Sequence, residues 1–372
     1  MNVGMLVSNE VVRDTRVLLE ARGLARHGHR VRVVGWDRFD PTAKDGPVEE
    51  GVDVELVRNR GLLRALPVDL LRNPVFWRRA FRRSLRWPAD LWWAHDLDTL
   101  PAGVWLKERT GRPLVFDAHE VFAEMIAEDY PKRLVRAAET LEARLLRHVD
   151  TVVTVNPVLE AHYKRSGRPV TVVMNCRDPL EVQYAPPTAP AFTVLYVGTF
   201  HASRFVFELI QAVQETEGVS LRIGGHKALT GEVRRRCAAS ERTTFLGPVP
   251  GEQVLPLTRE CHVVCALLDP ANANNRKGTP NKLFEAMAAG RPVLATKGTL
   301  SGDIVDAERC GLVIPYRVDA CKAALVQLRD NPDLQRELGQ NALHAAQTTY
   351  NWPVQERALL AVVNRFAART SA

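Results

Sequence analysis

Thr279-Pro280-Asn281-Lys282-Leu283, with Glu285 just beyond, is the stretch of this chain richest in usable chemistry. Thr279 suits a helix N-cap, and Pro280 suits the first helical position, where a missing N–H costs nothing. The N–H groups of Asn281, Lys282 and Leu283 are then expected to lack partners inside the helix and to point outward beside a cation. With the helix dipole behind them, such groups bind an anion. Glu285, about one turn on, is placed to accept hydrogen bonds from hydroxyls attached to that anion. Gly290 suits the helix end, and Pro292-Val293-Leu294-Ala295 the next buried strand. A phosphate receptor beside a hydroxyl acceptor suits a nucleotide-sugar. The same residues would equally make an ordinary capped surface helix, with Lys282 lying along its side.

Three further places carry candidate chemistry. His119 follows the apolar run Leu114-Val115-Phe116 and is flanked by Asp117 and Glu120. A neutral imidazole at a strand end can accept a hydroxyl proton or bond a sugar, and a purely structural hydrogen bond is the alternative. His95, in Ala94-His95-Asp96-Leu97-Asp98, stands at another strand end, where Asp96 and Asp98 are alternatively caps of the following helix. Arg204 comes shortly after Gly198-Thr199 and is either a phosphate cation or a solvated loop arginine.

The elements that must position these groups read as a strand–helix alternation. Val3–Val7 suits a buried strand, Asp14 a helix cap, and Val17, Ala21, Leu24 and Ala25 keep helical spacing up to Gly28. Strand-like runs follow at 31–34, 91–94, 114–116 and 151–155, which is the pattern of a parallel sheet with helices on both faces. Pro179, Pro186, Pro187 and Pro190 mark a polar, aperiodic linker. The alternation restarts at 192–197 and continues at 221–223, 244–246 and 263–268. Two doubly wound halves imply a cleft, each half offering the C-terminal ends of its strands.

Size and composition set wide limits. A chain of 372 residues with 46% hydrophobic and 25% charged residues is long enough for two globular cores. The net charge of +7 favours anionic partners without naming one. Six cysteines show no C-x-x-C pair; Cys261 and Cys265 bracket an apolar run and read as buried thiols, which suits a reducing cytoplasm. Neither a signal peptide nor a transmembrane span is expected. No base-reading motif supports nucleic acid as a partner, and no metal-ligand spacing is evident.

Residues 58–86 hold nine arginines against one acid, Asp69. Asn73-Pro74 can start a helix with Trp77, Ala80, Phe81, Ser84 and Leu85 on one face and Arg78, Arg79, Arg82, Arg83 and Arg86 on the other. Such a helix either packs on a sheet with a solvated basic face or rests on an anionic bilayer surface through 73–86.

In order and spacing, the chain resembles family-4 glycosyltransferases of the GT-B fold. PNKLFEAMAAGRPVLAT at 280–296 carries the strongest part, followed by Ile304-Val305 and Cys310–Pro315. LYVGTF at 195–200 resembles the family's donor-phosphate loop, and FLGPVP at 245–250, containing Val249, its base-binding turn. Residues 14–34, 94–103 and 116–120 match the acceptor domain of a bacterial branch that makes surface polysaccharides. The resemblance implies an α/β protein with two doubly wound Rossmann-like domains facing across a cleft. An acceptor domain is expected at 1–180, a linker at 181–191 and a nucleotide-sugar domain at 192–350. Residues 351–372 would form a helix returning to the first domain.

What the family does is then expected here: transfer of a sugar from a nucleotide donor, UDP-linked, with retention of configuration and with neither cofactor nor metal. By resemblance Gly198, Thr199, Arg204, Val249, Thr279, Pro280, Asn281, Lys282, Leu283 and Glu285 would face the donor. His119, Glu285, Arg204 and Lys282 would serve catalysis, and Asp14, Arg16, His95 and Asp96 the acceptor, a glycan or lipid-linked sugar. Two positions depart from the family. Lys277 stands where its first glutamate is usual, and Asn9-Glu10-Val11-Val12-Arg13 replaces a glycine pair. A nucleotide-sugar binder without turnover and a sugar-nucleotide epimerase are therefore the alternatives.

Overall fold

The computed structural model describes residues 1–12, 14–38, 40–65, 69–180 and 183–370. Arg13 of the first loop, residues 66–68 of the basic segment, Glu181 and Val182 at the start of the expected linker, and the final Ser371 and Ala372 lie outside them. The chain forms two compact units, one of Met1–Met174 with Gln355–Ala372, the other of Asn175–Val354.

The first unit holds an eight-stranded sheet. Its strands are β1 (Asn2–Leu6), β2 (Arg30–Trp36), β3 (Gly46–Glu49), β4 (Val52–Val57), β5 (Leu91–His95), β6 (Leu114–Ala118), β7 (Thr151–Thr154) and β8 (Val170–Val172), in the order β3-β4-β2-β1-β5-β6-β7-β8. All pairs are parallel except β3 with β4. β5 and β6 are buried along their whole length, as a sheet covered by helices on both faces requires. Their register sets His95 opposite Asp117.

The second unit holds β9 (Phe192–Thr199), β10 (Val219–His226), β11 (Thr243–Gly247), β12 (Val263–Ala266), β13 (Val293–Thr296) and β14 (Gly311–Ile314). They run in the order β11-β10-β9-β12-β13-β14, all parallel. This is the doubly wound order with its reversal beside β9, and the first sheet reverses in the same way beside β1. Ligands in such sheets bind at the carboxyl ends of the strands flanking the reversal. Each unit has its own apolar core, and all six cysteines are buried, none of them in a disulfide.

Several elements differ from expectation. Asn73-Pro74 lies inside the helix Asp69–Ser84 instead of starting it; Pro74 is its sixth residue and forgoes one intrahelical hydrogen bond, which the packing of the helix outweighs. Phe76 and Ala80 are fully buried in that helix, Phe76 stacked 4.9 Å from Trp36, whereas Leu85 lies beyond its end and is exposed. Arg79 and Arg83 are not free on the basic face. Arg79 donates to the carbonyls of Arg58 and Arg60, and Arg83 pairs with Glu55 at 2.7 Å. Arg78, Arg82 and Arg86 remain exposed. The strands β3, β4 and β8 carry weaker hydrophobic runs and were not anticipated.

The final helix, Trp352–Thr370, is capped by Asn351, whose side chain accepts from the Val354 N–H at 3.0 Å. It joins the first unit through Gln355, which accepts from the Met174 N–H at 2.9 Å, and through Glu356 on Arg26 at 2.6 Å. Among the described residues, no helix is long and apolar enough to cross a membrane.

Candidate functional site

In the second unit, the chemistry gathers at the carboxyl end of β9. The helix Asn281–Ala288 is apolar nearly all round, with Leu283, Phe284, Ala286 and Met287 fully buried, so the fold holds it as a core helix. Its start differs from expectation. Pro280, in extended conformation, is the N-cap, without a side-chain cap bond, and Thr279 is a buried residue before it. The Leu283 N–H is already bonded to the Pro280 carbonyl at 2.9 Å, so it is not a free donor. Asn281 alone of the first turn is exposed. Gly290 ends the helix in the left-handed region as its position suggested, at φ +62°.

Lys282 does not lie along a surface. It is 7% exposed, and its ammonium sits 3.4 Å from the centroid of the Tyr196 ring. The Tyr196 hydroxyl is tied to the Thr199 carbonyl at 2.7 Å, which fixes the platform. Gly198 passes so close that a Cβ there would stand 3.1 Å from the Lys282 Nζ. Burial pushes the Lys282 ammonium down to about 7, and the nearby Arg204 charge adds to that shift. Arg204 ends a short 3-10 turn, Ala202–Arg204, and is half-buried rather than solvated. Two basic groups thus converge on one glycine loop, an arrangement that an arriving anion would stabilise.

Glu285, one turn after Lys282, is 8% exposed and faces Arg177 at 3.5 Å. Burial raises its carboxyl, and Arg177 and Lys282 oppose that rise. Val249 lies against the end of β10, its Cγ2 only 2.4 Å from where a Gly224 Cβ would be. Gly198, Thr199, Arg204, Lys282 and Glu285 are therefore brought together. Tyr196 and Arg177 belong with them although the sequence did not single them out. The only signal for Tyr196 was its place in the strand leading to Gly198-Thr199.

In the first unit, the carboxyl ends of β5 and β6 bring together His95, Asp96, Asp117 and His119. His95 Nδ1 lies 3.1 Å from Asp117 Oδ2, His119 Nε2 lies 3.4 Å from the same oxygen, and the two nitrogens are 3.3 Å apart. Asp96, at φ +60°, turns its carboxylate to His119 Nδ1 at 3.1 Å and to the His119 N–H at 3.1 Å. Neither Asp96 nor Asp98 caps the next helix, whose N-cap is Thr99; Asp98 instead accepts from the Ser8 hydroxyl. Arg16 is no surface residue. At 6% exposure it forks onto both Asp117 oxygens, at 3.1 and 2.7 Å, and also meets Glu20 at 2.9 Å. Asp14 does cap its helix, accepting from the Val17 N–H at 3.1 Å, and stands outside this cluster.

The charges follow from these contacts. Burial alone would raise Asp117, but Arg16 and His119 outweigh it and hold the carboxylate well below its usual range. Burial alone would lower His119, but Asp96 and Asp117 outweigh it and raise the imidazole well above its ordinary value. His95, Asp117 and His119 bring three ligand-type atoms within 4.8 Å of one another, close enough for a metal. The Arg16 fork on both Asp117 oxygens argues for a hydrogen-bonded network there, because a bound dication would face a buried guanidinium. Asp117 is the central residue that the sequence left among His119's neighbours; its strand-end position was the available signal.

Comparisons with known proteins agree with this architecture. Residues 14–176 match the family described as glycosyl transferase 4-like domain, and residues 191–331 match glycosyl transferases group 1. No curated protein matches the chain in sequence. Among solved structures, sucrose-phosphate synthase from Thermosynechococcus elongatus is similar at 18% identity over 99% of this chain and 100% of that one, with a TM-score of 0.82. Anabaena HepE in complex with UDP-glucose is similar at 16% identity over 98% and 100%, with a TM-score of 0.72. WaaG, a glycosyltransferase involved in lipopolysaccharide biosynthesis, is similar at 16% identity over 96% and 98%, with a TM-score of 0.69. At such identities these structures speak for the fold.

Proposed function

This chain belongs to the family-4 glycosyltransferases of the GT-B fold, and we propose that it moves a sugar from a UDP-linked donor to a glycan or lipid-linked acceptor, with retention of configuration, in bacterial surface-polysaccharide synthesis. The observation that carries the donor assignment is the buried Lys282 ammonium, held on Tyr196 beside Arg204 and the Gly198 loop. When the bond between the anomeric carbon and the diphosphate breaks, its electron pair goes to the leaving phosphate oxygen. Lys282 and Arg204 meet that charge, each contributing a few kcal/mol in a water-poor site. Glu285 accepts from the ribose hydroxyls. Leaving-group stabilisation falls to side chains, so chelators should leave turnover unchanged.

Two similar structures support the finer choices, since HepE was solved with UDP-glucose and WaaG is involved in lipopolysaccharide biosynthesis. In the first unit, the His95–Asp117–His119 cluster serves the acceptor side. The exposed Arg78, Arg82 and Arg86, with Leu85 and Trp105 also partly exposed, suit contact with the anionic inner face of a membrane. Nucleic acid has no place in this assignment.

A second possibility rests on Lys277, which stands where the family usually has a glutamate near the donor sugar. A cation there suits a protein that binds nucleotide-sugar without turning it over. Thermal-shift screening against UDP-, GDP- and ADP-sugars, followed by a transfer assay with product anomers read by NMR, separates these outcomes. Tight binding without product favours the second; no binding of any nucleotide-sugar rejects both.

A further inference from the structure

We propose that Asp117, locked by Arg16, is a positioning residue that holds His119 doubly protonated, so that His119 meets substrate as a fixed cation and not as a general base. The kinetic part of this proposal rests on the transferase assignment above; the protonation part does not.

The geometry is a carboxylate at each ring nitrogen. Asp96 Oδ2 stands 3.1 Å from Nδ1, and Asp117 Oδ2 stands 3.4 Å from Nε2. An ionised carboxylate can only accept, so each nitrogen that faces one carries a hydrogen. Asp117 cannot turn away, because Arg16 holds both of its oxygens and is itself anchored on the Val173 carbonyl at 2.6 Å. His95 donates from Nδ1 to the same Asp117 oxygen, while its buried Nε2 has no hydrogen-bond partner. A second proton on that Nε2 would bury an N–H without a partner, which places the charge of the pair on His119.

The remaining charged neighbours leave that balance intact. Arg16 opposes a second cation, but its guanidinium is committed to Asp117 and Glu20. Burial raises the Glu20 carboxyl well above its usual range, and the Arg16 charge opposes that rise. Asp98, pushed by burial and by Asp96 up to about 6, faces the same site and adds attraction once ionised. A base at this position would have to release a proton that two carboxylates hold in a buried pocket.

The test is nitrogen NMR of the full chain labelled at histidine, with His119 assigned by comparison with His119→Gln. Both ring nitrogens of His119 are expected to report the imidazolium at pH 7.5 and to titrate well above 6.5. In Asp96→Asn, where the altered group is partly exposed and folding is spared, the titration is expected to fall. Asp117→Asn should lower it further and cut kcat at least tenfold while donor-induced stabilisation persists. Turnover of the unmodified enzyme should be level through neutral pH and fall when His119 loses its proton. The proposal is overturned by a neutral His119 at pH 7.5, by titration unchanged in Asp96→Asn, or by stoichiometric zinc displacing a ring proton of His119. It is likewise overturned by a rate that climbs through pH 6.5 as an imidazole base would require. If no transfer occurs under any condition but the imidazolium signals hold, the transferase assignment fails and the positioning role stands.

Discussion

The Lys282 ammonium rests on the face of Tyr196, 3.4 Å from the ring centroid, and among the described residues no acidic group lies within ion-pair distance of it. Its proton is therefore held loosely until an anion arrives. Burial, with Arg204 adding to it, sets its titration at about 7. A bound diphosphate favours the charged form, so binding above that pH must take up a proton. Donor affinity should then weaken as pH rises from 7 to 9, by at most about tenfold per pH unit. Calorimetry in buffers of different ionisation heat would detect the uptake, and Lys282→Met should weaken binding and abolish the pH slope.

Glu285→Ala and Arg204→Ala should each remove most of the stabilisation given by donor, which at a hundredfold excess over Kd is about 2.7 kcal/mol for the unmodified protein. His119→Ala should keep that stabilisation and lose turnover. Thermal melts with and without donor decide the matter. A full shift in Glu285→Ala would contradict the role given to that carboxylate.

The basic helix divides into two kinds of arginine. Replacing Arg78, Arg82 and Arg86 by serine should release the protein from anionic vesicles at low salt, each residue contributing roughly 1 kcal/mol, with little change in melting temperature. Arg83→Ala should instead cost stability, on the order of 1 kcal/mol, because its pairing with half-buried Glu55 is lost. Co-sedimentation and melting curves together separate the two groups. Equal effects from both sets would refute the division.

Gly225→Ala should impair folding. Its added Cβ would stand 1.8 Å from the Gly198 carbonyl oxygen, backbone that cannot step aside without moving the end of β9. A loss of about 1–3 kcal/mol or more is expected. Gly198→Ala presses on the movable Lys282 Nζ instead, so it should reduce donor affinity more than stability. Chemical denaturation and donor titration of the two variants would show whether the effects divide in this way.

Much of the architecture was legible because parallel strands buried on both faces leave continuous apolar runs such as Leu91–Ala94 and Phe192–Val197. The exceptions are explained by what the pattern omits. β3 is an exposed antiparallel edge and β8 only three half-buried residues, so neither makes such a run. Asn73-Pro74 looked like a helix start because proline marks first turns, yet the helix had begun earlier. At the site, residue types announced Lys282, Glu285 and His119 but not their environment. Asp117 meets Arg16 from 101 positions away, and Arg177 meets Glu285 from still further along the chain, which local spacing cannot show.

The first unit is interrupted in chain order, since residues 175–354 are spent elsewhere before Gln355 returns to it. Any dissection must respect that asymmetry. The inserted half can be excised as one uncut fragment, whereas stopping the gene after codon 174 deletes the helix that seals the other half. Because the Met174 amide and the Gln355 side chain already touch, at 2.9 Å, a minimal peptide joining those two positions would yield the missing half as a free-standing protein.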